Sequence, residues 1–132
     1  MVCVKIYNQS YPLCLTVAAL DDINEKMGGI SGIADFLRGG ETVSYERMFE
    51  NTAWMLALLI REGEENRLIC ERFSEGVENP VRQDIPDLSA IRSGLTLASI
   101  ASYRVSVLNA ISESMAQSIE AVYSKKKEEE QG

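Results

Sequence analysis

Val2-Cys3-Val4-Lys5-Ile6-Tyr7-Asn8-Gln9-Ser10-Tyr11-Pro12-Leu13-Cys14-Leu15 alternates in character from residue to residue. Val2, Val4 and Ile6 flank Cys3 and Lys5, while Tyr11, Leu13 and Leu15 flank Pro12 and Cys14. A period of two marks half-buried strands, so strands are expected over residues 2–6 and 11–15. Asn8-Gln9-Ser10 supplies the turn chemistry. Pro12 has no N–H and must avoid a ladder position that donates. A two-residue loop at Asn8-Gln9 pairs Pro12 with Lys5 at a hydrogen-bonded site. A four-residue loop, Tyr7 to Ser10, keeps the same partners and sets Pro12 at a non-bonded site, which it tolerates. Both place Cys3 opposite Cys14 and gather Val2, Val4, Ile6, Tyr11, Leu13 and Leu15 on one face. A lone hairpin is barely stable, so that face must rest on helices.

Helical signals follow directly. Thr16 is a good N-cap, Leu20, Ile23 and Met27 share one side, and Gly28-Gly29 closes the helix. A short helix is expected from about Ser31 to Arg38, with Ile33 and Leu37 inward and Gly39-Gly40 after it. A third runs from about Val43 to Gly63 with Thr42 as cap, its stripe formed by Tyr45, Met48, Thr52, Met55 and Leu59. Phe49, Leu56 and Ile60 widen that stripe. Residues 64–75 read as a further helix with Leu68, Ile69 and Phe73 apolar. Gly76 to Asp87 holds Asn79-Pro80 and Ile85-Pro86 and reads as a loop, since each proline pushes its predecessor out of helical geometry. A short turn, Asp87 to Ser93, leads past Gly94 into a last helix from about Thr96 to Lys126. That helix spans roughly 45 Å at 1.5 Å per residue. Its apolar side is expected to be Leu97, Ala101, Leu108, Ile111, Met115, Ile119 and Val122.

The expected fold is therefore mainly α: a small N-terminal β-hairpin packed on a bundle of about five helices with a long C-terminal helix. Residues 1–124 form one domain, and 125–132 a charged tail that frays.

Composition narrows the function. Thirteen basic and 20 acidic residues leave a net charge of −7 over 132 residues. Such a surface repels phosphate backbones, so no nucleic acid is expected as a partner. The longest apolar run, Ala53 to Ile60, is far short of the about 20 residues a membrane span needs, so no membrane is expected either. The N-terminus lacks the pattern of a secretory signal, which implies a cytoplasmic protein. Cys3, Cys14 and Cys70 are an odd set without metal-ligand spacing and read as reduced, buried thiols.

Catalytic chemistry is hard to place. There is no histidine, the usual general acid–base. Asp21-Asp22, Glu64-Glu65 and Glu128 to Glu130 read as solvated helix ends, because adjacent helical residues point apart. Cys70 has Arg67 and Arg72 nearby but fits an inward position. The glycine pairs follow helices, where C-caps belong, and make no phosphate loop. No catalytic, cofactor or metal site is expected.

The residues that fit no simple core are better candidates for contact. Trp54 and Leu58 fall off the third helix's stripe, among Arg47, Glu50, Asn51 and Arg61. Either another element covers them or they form a contact patch. Arg104 lies within the apolar stripe of the last helix. A buried unpaired guanidinium costs several kcal/mol, so it must pair, snorkel or meet an acidic partner or second subunit. Met48, Met55 and Met115 suit either core filling or an adaptable surface. The candidate protein-binding residues are Trp54, Leu58, Arg104, Leu108, Met115 and Ile119.

Val4-Lys5-Ile6-Tyr7-Asn8-Gln9-Ser10-Tyr11-Pro12-Leu13, then Leu15-Thr16, Ala18-Ala19-Leu20, Ile23 and Lys26-Met27-Gly28-Gly29, resembles the N-terminus of tail assembly chaperones from long-tailed bacteriophages and prophages. Those open with a short hairpin ending in Tyr-Pro-Leu, then a helix ending in a Gly pair. Asn8-Gln9 stands here in place of the family's usual glycine-bearing turn. The resemblance implies a non-enzymatic protein that coats the tape measure protein before the tail tube polymerises around it. It implies recruitment of tail tube protein through a frameshifted longer form, and a homo-oligomer is compatible with it. The alternative is a structural component of the tail or neck that stays in the virion.

Overall fold

The computed structural model describes residues 1–40 and 44–131, with side chains described as far as Met115. Two strands, β1 (Cys3–Ile6) and β2 (Gln9–Pro12), form an antiparallel hairpin. Five helices follow: α1 (Val17–Met27), α2 (Ile33–Arg38) behind a 3-10 turn at Ile30–Gly32, α3 (Tyr45–Phe73), α4 (Leu88–Gly94) and α5 (Ile100–Gln131). The expected architecture is present, a hairpin on a helical bundle.

The hairpin's register departs from both expected loops. Cys3 stands opposite Pro12, Val4 opposite Tyr11 and Lys5 opposite Ser10. The turn is Tyr7-Asn8, with φ of 52° and 64°. Positive φ at both central residues is the mirror-image turn whose twist suits a two-residue hairpin. Asn tolerates that conformation, whereas a bulky Tyr rarely does. The Tyr7 hydroxyl donates to the Ala90 carbonyl at 2.7 Å, so α4 holds the turn in place. The register moves by two residues, an even step, so the same side chains remain on the buried face. Val4, Ile6, Tyr11 and Leu13 are all buried. The ladder continues past the strands, since the Leu13 amide donates to the Val2 carbonyl. Pro12 lies between the bonded pairs and escapes the need to donate. Cys3 and Cys14 are not cross-strand partners.

Helix α3 is the hub. Thr52, Ala53, Met55, Leu56, Leu58, Leu59 and Ile60 are all buried, as are Glu62, Gly63 and Glu64, so most of the middle of the helix is covered. The hairpin, α1, α2, α4 and α5 pack about it, and the side bearing Trp54, Ala57 and Arg61 is the part left partly open. Its cap is Ser44, whose hydroxyl accepts from the Arg47 amide. The expected cap, Thr42, lies outside the described residues.

Gly63 does not end this helix, and residues 64–73 continue it without a break. Glycine is required for another reason. A Cβ on Gly63 would stand 2.0 Å from the Pro12 carbonyl oxygen and 2.8 Å from its carbon. The backbone of α3 touches the backbone at the end of the hairpin there. One turn back, the Cys14 amide donates to the Leu59 carbonyl at 3.2 Å.

Other elements follow local chemistry. Thr16 caps α1 by accepting from the Ala19 amide and donates to buried Glu62 at 2.6 Å. Gly28 and Gly39 close α1 and α2 in the left-handed conformation. Asp87 caps α4. Thr96 and Ser99 exchange hydrogen bonds in the turn before α5, so the helix proper starts at Ile100 rather than Thr96. Glu64 is not a solvated end. It is buried, pairs with Arg67 and accepts from the Gln83 amide, which ties the 75–87 loop to α3. Arg67 also donates to the Val81 carbonyl.

The buried side of α5 also differs from the expected stripe. Ile100, Val107, Ala110 and Ile111 face the core, while Leu97, Leu108 and Met115 are exposed. Ile119, Val122 and the charged tail 125–132 fall where side chains lie outside the described residues.

Gly63→Ala tests the hub. Forcing a methyl group against the Pro12 carbonyl is an overpacking change, which costs about 2–3 kcal/mol. Urea unfolding should show the midpoint falling with little change in slope. Full retention of stability would mean that the two backbones are not in contact.

Candidate functional site

Trp54, Ala57, Leu58 and Arg61 recur at three- and four-residue steps along α3 and share one of its faces. That face floors an open groove of about 670 Å³. One wall is α1, through Asp22, Glu25 and Lys26. The other is the end of the long loop and the start of α4, through Ile85, Pro86, Asp87 and Leu88.

The floor is firmly built. Leu58 is 4% exposed, so its side chain belongs to the core as much as to the groove. Trp54 is half-buried. Its ring meets Phe36 edge to face, with centroids 5.8 Å apart. The Lys26 ammonium stands 5.7 Å from the Trp54 ring centre, a cation–π approach. Phe36 is set by α2, whose last carbonyls are met by Asn51: its side-chain amide donates to the Phe36 carbonyl at 2.7 Å. Trp54 is thus held from two sides and open to the third.

The rim carries charge of both signs. Arg61 donates to Asp22 at 2.6 Å, and that hydrogen bond holds the guanidinium above its ordinary pKa range. The pair fastens α3 to α1 and leaves little net charge at this point. Glu25 on one wall and Asp87 on the other are acidic. Asp87 is engaged as the α4 cap. Lys26 stands on the same wall as Glu25, so the groove sets an apolar floor within a rim of mixed charge that is slightly acidic overall.

The remaining candidates lie elsewhere. Arg104 is half-buried on α5, with Nη1 3.6 Å from the Met48 sulfur and a buried Nε that lacks a hydrogen-bond partner. Among the described residues no carboxylate pairs with it. Leu108 and Met115 are 38% and 46% exposed on α5, away from the groove residues. Ile119 lies outside the described side chains. Trp54 and Leu58 therefore form one site, and Arg104, Leu108 and Met115 do not join it.

Sequence reading missed the groove's second wall. Ile85 and Pro86 sit in a segment read as loop, and Leu88 in the short turn after it. The apolar pair around a proline was the available signal. Met48 and Met55 are core residues, whereas Met115 is on the surface.

The thiols are not uniformly buried. Cys3 and Cys70 are exposed and Cys14 is half-buried. The helix turn that carries Ile69, Cys70 and Phe73 projects to solvent, with Phe73 74% exposed and Arg72 stacked on its ring. Among the described residues, no group of three metal-ligating side chains occurs, and no helix is long and apolar enough to cross a membrane.

No protein-family model, curated protein or solved structure matches the chain.

Burial, ahead of the Glu62 and Glu113 carboxylates, pushes the Cys14 thiol above its ordinary pKa. Less thiolate forms at a given pH, and thiolate is the nucleophile. With iodoacetamide at mildly alkaline pH, Cys3 and Cys70 should alkylate first and Cys14 should lag behind both. The difference should vanish in denaturant. Equal rates in the native protein would contradict the burial of Cys14.

Proposed function

We propose that this protein is a non-enzymatic tail assembly chaperone of a long-tailed bacteriophage or prophage, working in the cytoplasm of the bacterial host. Its client is the tape measure protein. The groove on α3 is the observation that carries this reading, together with the resemblance across residues 4–29. A tape measure protein is long and rich in helix, and an amphipathic helix laid in an apolar groove is a standard mode of recognition. Trp54 supplies the rigid anchor surface, since aromatic residues in partly desolvated pockets dominate such contacts. Ala57 leaves room for an incoming side chain. Glu25 and Lys26 on the rim can meet charged residues of either sign beside the client's apolar stripe.

A disposable chaperone must also release. An open groove with one aromatic anchor gives modest affinity at each contact. Many copies along a long client supply avidity that tube subunits can erode stepwise. The acidic surface keeps the chaperone soluble while it displays apolar side chains. A frameshifted longer form would bring tail tube protein to the same complex.

The test is co-expression with the tape measure protein and affinity capture. Leu88→Glu and Trp54→Ala should each cut capture about tenfold, an effect near 1.4 kcal/mol. Circular dichroism should stay unchanged for Leu88→Glu, because an acidic residue is welcome in the first turn of α4. Leu58 is too buried to serve as a surface probe. Undiminished capture by both variants would remove the groove from the mechanism. Mass spectrometry of purified particles should find the protein missing; its presence there would favour a retained tail or neck component.

A further inference from the structure

Helix α5 carries two apolar faces. Ile100, Val107, Ala110 and Ile111 lie on the core side. A second set, Ala101, Val105, Leu108 and Met115, is exposed, with Val105 55% accessible. At about 100° per residue the second set lies roughly 120° around the helix from the first. Polar Ser102, Ser106 and Asn109 fill the remaining side. Nothing in the fold requires apolar residues at the exposed positions.

Their spacing identifies what they fit. Ala101, Val105, Leu108, Ser112 and Met115 are separated by four, three, four and three residues, and Ile119 and Val122 continue the series in the sequence. A four-three repeat is the seam of a left-handed coiled coil, in which two helices wind about each other. In that frame Val105, Ser112 and Ile119 take position a, and Ala101, Leu108, Met115 and Val122 take position d. A β-branched residue at a with Leu at d favours two parallel strands. We propose that this face pairs with a second copy of the same chain, as a parallel two-stranded coiled coil along α5.

Charge supports a self-pairing. The span 100–131 contains four basic and five acidic residues, so it holds only −1 of the chain's −7. Two copies therefore meet along a stretch of little net charge. A two-fold axis along the seam sets each residue against its own counterpart. The core face of α5 stays on its own body, so the two bodies lie on the outer sides of the pair. Met115 also borders a hollow with Leu15, Leu20 and Ile30, which extends the apolar surface from the helix onto the body. Ser112, polar at an a position, limits the strength of the seam while helping to fix its register.

This pairing goes beyond the groove and its client, and the two can fail separately. Sedimentation equilibrium of the full chain should show a monomer–dimer equilibrium. Val105→Glu with Leu108→Glu should raise the dimer dissociation constant by about tenfold or more, with circular dichroism of the monomer retained. For orientation, Leu108→Cys in a chain with Cys3, Cys14 and Cys70 replaced by Ser should form a disulfide-linked dimer under mild oxidation. Ser102→Cys in the same chain, off the seam, should not. A wild-type chain that is monomeric at millimolar concentration overturns the proposal. So do a dimer indifferent to the glutamates and a cross-link at Ser102→Cys in preference to Leu108→Cys. Loss of tape measure capture by the glutamate variant of a monomeric chain would assign the face to the client instead.

Discussion

The fold depends on a contact between two backbones. At Gly63 the central helix approaches the Pro12 carbonyl so closely that no side chain fits between them. Proteins seldom bring a helix this near to a strand end, because a Cβ normally stands in the way. Here the approach lets Val4, Ile6, Tyr11 and Leu13 reach the apolar middle of α3. It also brings the Cys14 amide to the Leu59 carbonyl. With the hairpin seated, its turn reaches α4 through Tyr7, and Tyr103 of α5 donates to the Lys5 carbonyl at 2.9 Å. The hairpin is small, but it ties two further helices, α4 and α5, to the hub.

Because α3 is covered so fully, little of it remains for function, and what remains is specific. The face bearing Trp54, Ala57 and Leu58 is the part that neither the hairpin nor α5 occupies. Helix α1 and the Ile85–Leu88 segment flank it without closing over it. The buried ion pair of Glu64 with Arg67 anchors the long loop that delivers the second wall. Placing a carboxylate in such a site is tolerable only with its partners in place. Structure and proposed activity thus share residues: the device that orders the loop also shapes the groove.

Much of this was legible in the chain. Alternation gave the buried face of the hairpin, and Thr16, Gly28-Gly29 and Gly39-Gly40 marked helix ends correctly. The register was not legible, because it rests on Tyr7 adopting a left-handed conformation held by Ala90, 83 residues away. Gly63 was read as a stop because glycine commonly ends helices; its actual reason is a tertiary contact invisible in sequence. The stripe of α5 was misplaced since two apolar faces on one helix blur into a single broad one. Cys70 and Phe73 were read inward from their apolar neighbours, although the end of α3 outruns the body. Trp54 and Leu58 were singled out because they fall off the helix's stripe, and both line the groove. The wall opposite them was hidden, because a loop's position follows from Arg67 and Glu64 rather than from its own composition.

Trp54 is the single tryptophan in the chain, so its fluorescence reports on the groove alone provided the client's emission is subtracted or its tryptophans are replaced. Titration with purified tape measure protein should shift the Trp54 emission to the blue and protect it from acrylamide, in proportion to complex formed. A complex that forms with the emission and quenching of Trp54 unchanged would contradict the central claim that the client lies in this groove.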